Sequence, residues 1–209
     1  MKKLSFCLTL SALCIFPASA YSATTLLSEN FNELTPALTV TSVGAFSAIG
    51  GTNVDIVGGA LFGSLCVSPA SGNCVDMDGS NGNSQGILQS NSSFSLSPGT
   101  NYFLSFDLLG SSRGNTASTT VTFGPYSQTF VLASDDVTSG VVSNLLITVP
   151  TSTVTNLTFT SNTPGNVGNI LDNVLITSSA SSATPEPSSF VLLGLGLLSF
   201  FALTRRLAR

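Results

Sequence analysis

The stretch Tyr102-Phe-Leu-Ser-Phe-Asp-Leu-Leu109 sets a period of two: Tyr102, Leu104, Phe106 and Leu108 fall on one side, and Phe103, Ser105, Asp107 and Leu109 on the other. Successive side chains of an extended strand point to opposite faces, so this alternation predicts a strand with one fully apolar face. The rhythm recurs on both sides of it. Val121 and Phe123 sit between Thr120, Thr122 and Gly124; Leu157 and Phe159 sit between Asn156, Thr158 and Thr160; Asp172, Val174 and Ile176 alternate with Leu171, Asn173 and Leu175. No eleven-residue window between Tyr21 and Ala183 has helical periodicity, and the helix formers Lys, Glu, Gln and Arg are nearly absent there. Roughly nine to eleven short strands, split by Gly, Pro, Asn and Ser turns, predict an all-β fold: an antiparallel β-sandwich of the jelly-roll kind. No internal repeat or domain break appears.

The two ends of the chain are of different composition. Lys2 and Lys3, an apolar stretch from Leu4 to Phe16, then Pro17 and Ala18-Ser19-Ala20 read as a secretory signal peptide over 1–20, with cleavage after Ala20. Phe6 and Leu13 stand just before Cys7 and Cys14, where a lipoprotein box needs a small residue, so both cysteines leave with the peptide. At the other end come Pro185-Glu186-Pro187, an apolar run from Phe190 to Leu203, and Arg205, Arg206 and Arg209. A helix over 190–203 is about 21 Å long, or about 26 Å with Ser188, Ser189 and Thr204, just short of a hydrocarbon core. The three arginines orient its C-terminus toward the cytoplasm. Between these ends lie a β-sandwich domain over 21–177 and a Ser/Ala/Thr linker over 178–184.

The tripartite tail, 185–209, resembles the PEP-CTERM sorting signal of Gram-negative bacteria. That resemblance implies an inner-membrane precursor, recognised and processed by an exosortase and then released to the cell surface or the extracellular space. An ordinary tail anchor without processing is the alternative that the short span and basic tip leave open.

Removing the targeting segments changes the meaning of the charge. Arg113 is the only base left in the body, against Glu29, Glu33, Asp55, Asp76, Asp78, Asp107, Asp135, Asp136 and Asp172, so one minus nine gives −8. Nucleic acid is excluded as a partner, because phosphate neutralisation needs clustered Lys and Arg. Divalent cations are the natural counter-charge; for most of the nine, the plainer reading is a carboxylate that keeps the surface soluble. Cys66 and Cys74 are the remaining cysteines, and an exported context predicts that they form a disulfide. Such a bridge closes a short loop and contributes about 2–3 kcal/mol. The chain has no histidine, which removes Ser-His-Asp, Cys-His and His-metal chemistry. Hydrolysis by two carboxylates would have to draw on Asp76, Asp78 or Asp107.

A second resemblance rests on Glu29-Asn-Phe31, on Phe94 to Asp107, and on Leu171-Asp172-Asn-Val-Leu-Ile176. Together these look like galactose-binding-like jelly rolls, the sandwich common among carbohydrate-binding modules. The resemblance implies that the first and last strands lie side by side and that Glu29 and Asp172 share a structural calcium ion, completed by backbone carbonyls and by Asn30 or Asn173. The alternative is two solvated carboxylates at strand ends. Asp76-Met-Asp78-Gly-Ser80 fails the EF-hand pattern, since Asn81 and Ile87 occupy the glycine and glutamate positions. It predicts a strand ending in a turn at Gly79, with both acids on one face. Arg113 is expected either to pair with Asp107 or to face a ligand. Trp is absent, and no residue is singled out for sugar binding.

These readings converge on an exported, non-enzymatic β-sandwich at the cell surface or in the extracellular matrix, associated with exopolysaccharide. A ligand-free structural or adhesive matrix protein is the first alternative, and a polysaccharide hydrolase the second.

Overall fold

A computed structural model describes residues 23–81 and 84–180. The signal peptide, residues 181–184 of the linker, and the sorting tail with its helix over 190–203 lie outside the described residues; Ser178, Ser179 and Ala180, expected in the linker, belong instead to the last strand of the sandwich, where Ser178 and Ser179 are paired on both sides and Ala180 on one. Within them, no helix is long and apolar enough to cross a membrane.

Two antiparallel sheets form the body. The larger has seven strands in the order β14 (Val141–Ile147), β11 (Thr100–Leu109), β17 (Ile170–Ala180), β6 (Cys74–Asp76), β5 (Val54–Val57) and β2 (Ala37–Val40), with β1 (Ala23–Glu29) also paired to β17. The smaller has six, in the order β13 (Tyr126–Leu132), β12 (Ala117–Phe123), β16 (Thr158–Ser161), β9 (Ile87–Ser90), β4 (Phe46–Ala48) and β3 (Ser42–Val43). Two short ribbons complete the fold: β10 (Phe94–Leu96) with β15 (Thr153–Thr155), and β7 (Asp78–Gly79) with β8 (Ser84–Gln85). The described residues therefore hold seventeen strands and one 3-10 turn at Gly63–Leu65, more strands than the sequence predicts. Segments of two to four residues are too short to show a period.

The apolar faces that the alternation predicts do face each other. Tyr102, Leu104, Phe106 and Leu108 of β11 are buried, as are Val121 and Phe123 of β12, Leu157, and Phe159 of β16. Phe106 meets Phe159 across the sheets at 5.4 Å and 88°, and Phe130 at 5.7 Å and 88°. Edge-to-face pairs of this kind add about 0.5–1.5 kcal/mol each beyond the area they bury. A second, smaller core lies on the outer face of the larger sheet, where Leu65 and Ala70 cover Val57, Cys74, Leu109 and Ile170. All four residues of β5 are buried because that sheet is covered on both sides there.

Candidate functional site

The outer face of the larger sheet carries the acids. Ile56, Val75, Leu108 and Leu171 point into the inter-sheet core. Their neighbours Asp55, Asp76, Asp107 and Asp172 therefore project outward. Asp55 and Asp76 stand opposite each other on β5 and β6, and Asp107 and Asp172 on β11 and β17. Asp55, Asp76 and Asp172 are buried, so the soluble surface carboxylate expected of most of the nine acids does not describe these three.

Asp76 receives the one ion pair found among the described residues, from Arg113 Nη2 at 2.6 Å. It also accepts the amides of Gly168 at 3.0 Å and Asp78 at 3.2 Å. Burial nonetheless pushes its pKa up to about 7, with Arg113 pulling the other way. The expected Arg113–Asp107 pair is not formed. Arg113 sits on a loop that turns back over the end of β6, while Asp107 is engaged by Asn173 Nδ2 at 2.7 Å. Asp55 clasps the edge strand β2 and the turn after β7, accepting the Thr39 amide at 2.7 Å and the Ser80 amide at 3.1 Å, together with the Ser80 hydroxyl. Asp78 is fully buried, and neither of its oxygens closes a hydrogen bond of good geometry. Burial raises its pKa; Ser161 and Gly86, which face it, and the charge of Arg113 offset this in part.

Glu29 and Asp172 do come together, because β1 and β17 pair antiparallel with Glu29 opposite Val174. Each carboxylate is already committed to backbone. Glu29 accepts the amides of Phe31 and Ala45, both at 2.9 Å; Asp172 accepts those of Asn173 at 2.7 Å and Ser71 at 3.0 Å. Asn30 accepts the amide of Asn32 at 3.2 Å. The pKa of Asp172 is pushed up to about 6, first by burial and then by the charges of Asp107 and Glu29, against the pull of those two amides. Among the described residues no three His, Cys, Asp or Glu side chains converge well enough to hold a metal by themselves. Asn173 takes a positive φ of 52°, a bulge that turns Asp172 outward and Val174 inward. The plain alternation in the sequence does not show this change of face.

Cys66 and Cys74 are joined, with their Cα atoms 5.7 Å apart. The loop they close lies over the larger sheet, held by the Ser71 amide on Asp172 and by Asn73, which donates from its amide to Asn32 Oδ1 at 2.9 Å and from Nδ2 to the Leu34 carbonyl at 2.7 Å.

The smaller sheet is the opposite in kind. None of its six strands carries a charged residue. Ser127, Thr122, Thr158, Gln89, Ser47 and Ser42 run in register across all six strands on the face away from the core, and Thr129, Thr120 and Thr160 form a parallel row. Strand spacing puts neighbours within a row about 4.8 Å apart and the rows about 6.7 Å apart. Thr120 and Thr129 share a hydroxyl hydrogen bond of 2.8 Å, and Asn162 Nδ2 donates to Thr120 at 2.9 Å. Among the described residues no loop is bonded over this grid: Ser127 and Thr129 are exposed, and Thr120, Thr122, Thr158 and Thr160 are half-buried. Thr120-Val-Thr122 and Thr158-Phe-Thr160 signalled it in the sequence, but pairing between distant strands is needed to make a grid of them.

Residues 183–206 match the PEP-CTERM protein-sorting motif. The chain therefore carries a sorting signal, which implies an exported protein processed by an exosortase. No curated protein matches the chain. Among solved structures it is similar to two cleaved adhesin domains of Lys-gingipain from Porphyromonas gingivalis. One is 16% identical with a TM-score of 0.45, covering 74% of this chain and 99% of that one; the other is 13% identical with a TM-score of 0.42, covering 78% and 99%. It is also similar to an exo-β-1,3-galactanase from Phanerochaete chrysosporium, at 13% identity and a TM-score of 0.34 over 77% of this chain and 30% of that one.

Proposed function

We propose that the body is a non-catalytic component of the cell surface or extracellular matrix that holds exopolysaccharide on the outer face of its six-stranded sheet. The observation that carries this reading is the uncharged hydroxyl and amide grid on that face, in a body whose nine acids all lie elsewhere. Hydroxyl and amide groups both donate and accept, as sugar hydroxyls do, and no ion has to be stripped of water on contact. Each hydrogen bond contributes only about 0.5–1.5 kcal/mol net. A polymer that repeats the contact along its length turns weak sites into retention. The carboxylates a hydrolase would draw on support the non-catalytic reading: Asp76 and Asp78 are buried, and Asp107 is tied to Asn173.

Affinity electrophoresis of the full exported chain through gels containing neutral or acidic polysaccharides tests the proposal. Retardation by a neutral polysaccharide is expected. Free migration through every gel would leave the ligand-free matrix protein as the better account, and release of new reducing ends would favour the hydrolase.

A structural calcium ion between Glu29 and Asp172 is a second proposal, supported by the pairing of β1 with β17, which brings Glu29 near Asp172, and by the charges of Glu29 and Asp107 acting on Asp172. Each carboxylate oxygen that accepts one amide keeps a second lone pair, so the rest of the six to eight ligands would come from backbone and water. Millimolar calcium should raise the melting temperature over that in EDTA, and Asp172→Asn should remove most of the shift while Asp135→Asn leaves it. Superimposable melting curves in calcium and EDTA would rule the ion out.

A further inference from the structure

An antiparallel sandwich leaves sheet edges, and a soluble protein blunts them to avoid pairing with other chains. Most edges here are blunted. In the larger sheet, β14 is bulged at Asn144, whose φ is 52° and whose amide is taken by the Ser105 hydroxyl at 2.9 Å. The strand β2 follows Pro36, is broken at Thr39 with φ 59°, and gives the Thr39 amide to Asp55. A register shift interrupts β1 between Thr25 and Leu27. In the smaller sheet, β3 is only two residues long.

The edge strand β13 follows a proline, Pro125, as β2 follows Pro36, but it has none of the bulges, breaks or register shifts, and it is seven residues long. Its seven residues, Tyr126-Ser-Gln-Thr-Phe-Val-Leu132, pair with β12 without a break, contain no Pro, Gly or charge, and keep negative φ throughout. The two-residue turn Gly124-Pro125 makes Phe123 and Tyr126 a hydrogen-bonded pair, so Ser127, Thr129 and Val131 direct their amides and carbonyls away from β12. Ser127, Gln128 and Thr129 are exposed, and Val131 is 67% exposed.

We infer that β13 is a dimerisation edge, occupied by β13 of a second copy of this chain in antiparallel register about Thr129. An open edge of backbone groups is completed by an extended strand, and the absence of charge lets the same strand serve from both sides without like-charge contact. The two-fold places Thr129 opposite Thr129 of the other copy and Ser127 opposite Val131, which makes three hydrogen-bonded pairs, or about six backbone hydrogen bonds. With the other edges of the two main sheets blunted, β13 of one copy meets β13 of the other, so the contact closes on a dimer and does not propagate into a fibre. The two six-stranded sheets become one, with their hydroxyl faces continuous.

Analytical ultracentrifugation of the full exported chain should show a concentration-dependent monomer–dimer equilibrium at physiological salt. Thr129→Pro removes one outward amide at a position where an edge strand tolerates proline, and Val131→Lys adds a charge to the edge. Each should shift the protein to monomer, with its melting temperature measured on the monomer to show that it is folded, whereas Leu146→Lys on β14 should leave the dimer intact. Thr129→Cys should give a disulfide-linked dimer under oxidation, and Thr122→Cys, one strand inside, should not. A wild-type chain that stays monomeric at millimolar concentration, or that forms open-ended assemblies, would overturn the inference. Dimerisation without polysaccharide leaves the proposed function to its own test.

Discussion

The two sheets share a core and differ in what they show the outside. The outer face of the larger sheet projects four aspartates and is roofed by the disulfide loop and the Arg113 loop, so most of its charge is buried and bonded to backbone amides. The strands of the smaller sheet carry no charge, and its outer face has no roof among the described residues. A carboxylate that accepts amides can pin a loop, and that is how Asp55, Asp76 and Asp172 are used. A hydroxyl grid pins nothing and is free to meet a ligand. The comparison separates a structural face from a presenting one, and substitutions on the two faces should have opposite signatures.

The largest effect is expected at the roof. Arg113→Met leaves Asp76 buried without its counter-charge, and breaking a buried pair costs about 3–5 kcal/mol. Because the guanidinium is partly solvated and Asp76 can take up a proton, we expect about 3 kcal/mol, or about 6–12 °C in melting temperature for a domain of this size. A loss below about 0.5 kcal/mol would be an ordinary surface effect and would erase the contrast between the faces.

Opening the disulfide comes next. Replacing Cys66 and Cys74 together by Ala should cost about 2 kcal/mol, since closing so short a loop removes little unfolded-state entropy and Asn73 and Asp172 also hold it. Glycan retention on the other face should not change, which the same electrophoresis would check.

Acidity sharpens the comparison further. Asp76 and Asp172 have folded pKa values of about 7 and about 6, above the ordinary 3.8. Between those limits the folded state binds more protons than the unfolded one, so stability falls as pH rises from about 4 to about 7 and levels off above. Asp136, lowered to about 2 by the amides of Ser139 and Thr138, acts in the opposite sense and takes stability away below pH 3.8. Maximum stability is therefore expected near pH 4 in the absence of calcium. Asp78→Asn should be better tolerated at pH 8 than at pH 4, because it replaces a poorly bonded carboxylate whose charged form burial disfavours with a neutral isostere. A melting temperature that rises steadily from pH 4 to pH 8 would contradict the assignment of these buried acids.

Much of the frame was legible in the sequence, and the reason is local. The alternation in β11 and β12 is written within seven to ten residues, and Cys66 and Cys74 are separated by only eight positions. What was not legible depends on distant partners. Arg113 reaches Asp76 across 37 positions, and Ser71 reaches Asp172 across 101, so composition alone made surface charges of acids that loops from elsewhere bury. Two-residue strands such as β3 and β7 carry no period, and the bulge at Asn173 reverses a face within one residue. The hydroxyl grid was half visible as two Thr-x-Thr stretches, but only the register of β12, β13, β16 and β9 makes rows of them.

The smallest effect on stability should fall on the presenting face, and it is the most telling. Thr122 and Thr160 make no side-chain hydrogen bond within the described residues and point away from the core, so replacing both by Val removes two hydroxyls while keeping shape and β-propensity. Surface substitutions away from special features stay within about 0.5 kcal/mol, so the melting curve should hardly move. Each hydroxyl that loses a sugar partner costs about 0.5–1.5 kcal/mol per contact, and a polymer multiplies that loss over every repeat it touches. Retardation in a neutral polysaccharide gel should therefore fall at least tenfold. Thr25→Val with Thr177→Val, a matched pair on the larger sheet, should leave it unchanged. Equal loss from both pairs would mean that the polymer does not distinguish the faces, and the smaller sheet would then be no more than the other wall of the sandwich.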